Sequence, residues 1–114
     1  MTIQINPPAK APVPINLKSE GVTPVAILST PGFDATQVNP ATIDLSGAPV
    51  RSARGGEFSC SAQDVNGDGL PDLVCQIITD RLKLGPRSTQ AVLTGMTFSG
   101  AFIQGTEAIR VVGN

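Results

Sequence analysis

Proline and glycine punctuate this chain from end to end, ten of one and twelve of the other in 114 residues. No window longer than a few residues carries apolar side chains at the period of a helix. What remains is a series of short strand-like segments. "VTPVAILS" (22–29) is an apolar run bounded by Gly21 and the turn signal "TPG". It reads as a buried strand, with Pro24 placing it at a sheet edge or at the strand's own start. Ile43 and Leu45 alternate with polar neighbours, as do Phe58, Cys60 and Ala62, which are expected on one buried face, and Leu73, Cys75 and Ile77. "TQAVLTG", "AFIQG" and "EAIRVV" follow, the last with Ile109 and Val111 on one face and Arg110 on the other. Short alternating segments separated by Gly, Pro and Asp turns predict an all-β fold, an antiparallel β-sandwich of the immunoglobulin-like kind. The length fits one domain over residues 1–114. Residues 1–14, with Pro7, Pro8, Pro12 and Pro14, form an extended N-terminal strand and link.

The stretch "DVNGDGLPD" (64–72) carries the chemistry. Counted from Asp64, it offers Asp at the first position, Asn66 at the third, Asp68 at the fifth and Gly69 at the sixth. The Leu70 carbonyl falls at the seventh and Asp72 at the ninth. This is the oxygen spacing of an EF-hand-type calcium loop. Alternate side chains of a tightly curled loop converge on one point, and the glycine permits the sharp turn that brings the next carbonyl there. Oxygen ligands rich in carboxylate suit a hard cation, and calcium accepts irregular geometry more readily than magnesium. An EF-hand would place a bidentate Glu at the twelfth position, where this chain has Cys75, and it would have flanking helices. The loop is therefore expected between strands. The remaining ligand falls to Asp72, to water, or to one of Glu57, Asp80 and Glu107. The competing reading is a metal-free hairpin turn, since "NG" and "DG" are strong turn signals.

If the loop joins two antiparallel strands, residues equidistant from its middle face each other. Cys60 and Cys75 then fall almost opposite and can form a disulfide; otherwise both are buried thiols acting as small hydrophobes. Such a bridge below the loop would hold the ligands near their bound positions.

A net charge of −1, four Phe and no Trp or Tyr leave neither the basic face nor the stacking platform of a nucleic-acid-binding protein. No apolar run approaches the length of a membrane span, so membrane insertion is not expected. "MTIQINPPAK" lacks the charged and apolar regions of a signal peptide, as a mature secreted domain would. With no His, the commonest general base and zinc ligand are absent. No Ser or Cys sits in a nucleophile motif and "RGG" (54–56) opens no phosphate loop, so no enzyme is expected. Phe33, Phe98 and Phe102 are read as core residues, which weakens a glycan-binding reading. The basic cluster Arg81, Lys83 and Arg87 reads as a solvated loop.

The framework around the loop is familiar as a whole. "INLKSEGVTPVAILSTPGFDATQVNPATIDLSGAPV", then "DVNGDGLPDLVCQI", then "LTGMTFSGAFIQGTEAIRVVG" resembles a module common in secreted bacterial and archaeal proteins. The loop alone is similar to those of FG-GAP and dockerin repeats. The resemblance implies a secreted β-domain with a calcium loop at Asp64, Asn66, Asp68 and Asp72, and no enzymatic activity. The expectation is a calcium-stabilised structural or adhesive module, secreted or at the cell surface. Its partners would be neighbouring domains, identical subunits or surface polysaccharide. A self-assembling subunit that lends its N-terminal "TIQIN" strand to a neighbour is the alternative.

Overall fold

A computed structural model describes residues 1–112, and the chain forms a two-layer β-sandwich. Nine strands build it: β1 (Ile3–Ile5), β2 (Val13–Asn16), β3 (Val22–Ile27), β4 (Asp44–Leu45), β5 (Ala48–Pro49), β6 (Cys60–Gln63), β7 (Asp72–Ile78), β8 (Gln90–Met96) and β9 (Phe102–Val112). One sheet has the order β1-β3-β7-β6, the other β2-β9-β8-β4-β5. With β2 set aside, these are the A-B-E-D and G-F-C-C′ orders of an immunoglobulin domain. The predicted fold class holds. The helical turns among the described residues are short 3₁₀ segments such as Ala35–Gln37 and Pro40–Thr42.

One pairing departs from the antiparallel expectation. β2 runs parallel to β9, with Val13 opposite Ile109 and Val111 opposite Ile15. The Pro-rich link leaves β1 in the first sheet and delivers β2 to the second, so the N-terminal segment closes both layers. β1 pairs with β3 of its own chain, Ile3 opposite Ile27 and Ile5 opposite Val25. Its two isoleucines are fully buried between the sheets.

Other local readings are corrected by packing. β3 is a central strand despite Pro24. The proline is tolerated because it stands near the strand's start and β1 pairs only from Val25 onward. "AFIQG" and "EAIRVV" are one continuous strand, β9, whose inward row contains Ile103, Gly105, Glu107 and Ile109. Phe58, expected inside, is 39% exposed, and Ala62 is exposed as well. Phe58 precedes β6, the edge strand of its sheet, in a connection bridged to Ser52, and the opposite layer ends in the two-residue β5.

Gly105 lies where β9 closely approaches β1 of the other layer. A Cβ there would lie 2.9 Å from the Met1 carbonyl oxygen and 3.1 Å from Ile3 Cγ2. Replacing Gly105 with Val therefore forces β1 away from β9, and overpacking of this kind costs about 1–3 kcal/mol. Urea denaturation should show a stability lower by that amount and a correspondingly lower midpoint, whereas an unchanged midpoint would mean that β1 does not dock as described.

Candidate metal centre

The loop 64–72 joins β6 to β7 and sits at the end of the sandwich where β3 ends and β9 begins. Its side chains curl it by accepting hydrogen bonds from backbone N–H groups ahead of them. Asp64 Oδ1 accepts from Gly67 at 2.9 Å and from Asp68 at 3.3 Å, and Oδ2 accepts from Gly69 at 2.8 Å. Asn66 Oδ1 accepts from the Asp68 N–H at 3.3 Å, and Asp68 Oδ1 from the Leu70 N–H at 2.9 Å. Gly69 has φ of +84°, a left-handed turn that a side chain would strain. The functional residue types at the first, third and fifth positions are thus all turned toward the loop's interior, with Leu70 following at the seventh.

Asp72 behaves differently. It is fully buried, and it ties the loop to the rest of the domain. Its Oδ2 accepts from the Val65 N–H at 3.0 Å and its Oδ1 from the Ser29 N–H, beyond the end of β3, at 2.8 Å. Each oxygen of a carboxylate has room for a second partner, so both can still face a cation. One oxygen from each of Asp64, Asp68 and Asp72 lies within 4.8 Å of the others. Oxygens around a calcium ion stand at 2.3–2.6 Å from it, and a 4.8 Å span is what two such ligands across one ion would make. The donor set is all oxygen, which fits calcium.

Charge supports the same fit. Residues 19–50, 55–80 and 88–109, which include the loop, the end of β3 and the β8–β9 turn, contain no Lys or Arg. Asp34, Asp64, Asp68 and Asp72 therefore share one end of the molecule without a basic side chain from these segments to balance them. The Asp64 carboxyl is held below the ordinary carboxylate value, first by the Gly69 N–H. Desolvation opposes this, and the N–H groups of Gly67 and Asp68 and the Asp68 side chain add to the lowering.

Of the candidates for a further ligand, Asp72 joins the cluster and the other three do not. Glu107 lies on β9, where its Oε1 accepts the Ile5 N–H at 2.6 Å across the gap between the layers. Asp80 stands in the turn after the far end of β7, about 20 Å from the loop given six strand steps. Glu57 precedes β6 at its end remote from the loop and is exposed. Sequence distance hid this, because spacing reports local convergence and nothing of where a strand ends. Ser29 was missed altogether. A serine just past an apolar strand gives no signal that its N–H will meet a carboxylate 43 residues away.

Cys60 and Cys75 are bonded, directly opposite in the β6–β7 ladder with Cα atoms 4.1 Å apart. The same register places Gln63 opposite Asp72, so the disulfide lies three pairs below the loop. No family model, curated protein or solved structure matches the chain.

Two outcomes follow. Breaking the bridge with Cys60→Ser and Cys75→Ser together should cost about 3 kcal/mol for a loop of this length. It should also weaken metal binding, read by calorimetric titration, whereas equal affinity would show that the bridge does not preorganise the loop. For pH, a lowered folded pKa means that Asp64 stabilises the fold above its unfolded value of about 3.9 and loses this as pH falls through the folded pKa. In metal-free acid titrations, the difference in stability between wild type and Asp64→Asn should therefore be constant above about pH 5 and shrink below about pH 4. A difference that persists at low pH would contradict the Asp64 hydrogen bonds.

Proposed function

We propose that this chain is a non-catalytic, calcium-stabilised module of an extracellular or cell-surface protein, structural or adhesive in role. The observation that carries this is the convergence of three carboxylates at an end of the sandwich whose segments bring no basic side chain. Bound calcium would be held by Asp64, Asp68 and Asp72, with Asn66 and the Leu70 carbonyl completing the oxygen set. It would supply charge neutralisation and would join the loop to β7 and, through Asp72, to the end of β3.

Location is supported by three points. The Cys60–Cys75 disulfide suits an oxidising compartment. Calcium outside cells, at roughly millimolar levels, would fill even a weak site of this type. The resemblance of the framework to a secreted bacterial and archaeal module points the same way. Neighbouring domains of a larger protein, or identical subunits, are the partners such a module would serve.

A cation that binds only the folded chain adds stability by mass action, about 2.7 kcal/mol at 100 times its dissociation constant. For a domain of this size that corresponds to a rise of about 10 °C in Tm. Thermal melts with excess calcium should exceed those with chelator by this order, and Asp68→Ala should melt low and ignore calcium. Magnesium should shift the wild type less. Identical melts under all conditions would reduce "DVNGDGLPD" to a turn and remove the basis of the reading.

A further inference from the structure

Three of the four phenylalanines are exposed, and two share one turn. Phe98 is 64% and Phe102 67% exposed, at the tip of the β8–β9 hairpin. Met96 is paired with Phe102 across the hairpin, so the two side chains lie on one face, and Met96 is 41% exposed. Apolar surface gathered in this way usually marks an interaction site. The turn that carries it is held firmly. Thr97 N–H donates to the Ala101 carbonyl at 2.9 Å, Ala101 N–H to Thr97 Oγ1 at 3.0 Å, and Phe98 N–H to the Gln37 carbonyl at 2.9 Å.

Beside Phe102 runs a groove of about 540 Å³. Its far wall is the short Thr30–Phe33 hairpin, closed by Thr30 N–H to the Phe33 carbonyl at 2.9 Å and Phe33 N–H to the Thr30 carbonyl at 3.0 Å. The end of β3 is pinned to the N-terminus, Leu28 N–H donating to the Thr2 carbonyl at 3.0 Å. The groove offers two aromatic rings, Phe33 and Phe102, with the neutral hydrogen-bonding groups of Thr2, Thr30 and Gln104 between and beside them. None of its lining residues is Asp, Glu, Lys or Arg.

We propose that this groove binds a neutral polysaccharide, with the Phe102 ring as the platform for the C–H face of a sugar. A pyranose presents one apolar C–H face and a rim of hydroxyls. A flat ring flanked by uncharged hydroxyl and amide groups complements both, and a preformed groove spares the cost of ordering it. A polyanion would meet the four nearby carboxylates and no lining Lys or Arg side chain. An amphipathic helix would leave the Thr2, Thr30 and Gln104 groups without partners. This site uses none of the metal-loop residues and does not rest on the calcium reading.

Native affinity gels cast with hydroxyethylcellulose, xylan, galactomannan or amylopectin test it, with calcium present throughout. Wild-type protein should be retarded in at least one gel. Phe102→Ala should weaken that retardation at least about tenfold, and Gln104→Ala should weaken it as well. Phe58→Ala, an exposed ring elsewhere, should leave it unchanged, and all variants should melt with the wild type. Raising NaCl from about 0.1 M to about 0.5 M should have little effect, since the ligand is neutral and no charged side chain lines the groove. Free migration in all four gels, retardation that survives Phe102→Ala, or retardation abolished by salt would each overturn the proposal. So would a concentration-dependent dimer, seen by light scattering, that Phe102→Ala dissolves, because a second copy would then be the groove's occupant.

Discussion

One buried carboxylate holds the functional end of this domain together. Asp72 is the first residue of β7 and has no exposure to solvent. It accepts one N–H from the loop at Val65 and one from the end of β3 at Ser29. A charge in that position is costly unless it is well partnered. The two N–H groups meet part of the demand, and residues 19–50, 55–80 and 88–109, which include both strands that flank it, contain no Lys or Arg to meet the rest. A cation shared with Asp64 and Asp68 would resolve this without adding a side chain. The same residue that orients the loop is thereby the one with most to gain from a metal.

The sandwich contributes rigidity where the loop needs it. Two strands leave the loop side by side, and the Cys60–Cys75 bond fixes their spacing three pairs away. On its other flank β7 pairs with β3 over six residues, so Asp72 is presented from the inner part of a sheet. Asp64, in contrast, follows an edge strand and is exposed. Its orientation depends on hydrogen bonds within the loop. The cluster thus combines one carboxylate set by the fold with others set by local turn chemistry.

That division explains what could be read from the sequence. Asp64, Asn66, Asp68 and the Gly69 turn are a local pattern, and the hairpin symmetry that opposes Cys60 to Cys75 is local as well. The apolar rows Leu73, Cys75 and Ile77 of β7 and Ile109 and Val111 of β9 were legible because each faces the core. What stayed hidden depended on distant pairing. The prolines of residues 7–14 mark a link, but they do not say that the segment beyond it crosses to the other sheet and runs parallel to β9. Alternation made Phe58 an inward residue, yet it stands at the edge of its sheet, ahead of β6, and is exposed. Phe98 and Phe102 follow the same logic: composition favoured the core for scarce aromatics, and the hairpin carries them past the last strand that could cover them.

The loop and the aromatic groove also share a structural element. Ser29 donates its N–H to Asp72 and its hydroxyl to the Pro71 carbonyl at 2.7 Å, while its Oγ accepts the Ala35 N–H at 2.8 Å. The Thr30–Phe33 hairpin, one wall of the groove, is the segment between those contacts. Fixing Asp72 with a cation therefore fixes both ends of that wall. A ligand that requires the wall in place would gain affinity from calcium, and by reciprocity it would tighten calcium binding in equal measure. The coupling needs no movement of the sheets. It requires only that the segment from Ser29 to Ala35 be less ordered when Asp72 lacks its metal, and the connection through Ser29 is the physical route by which the two sites would sense each other.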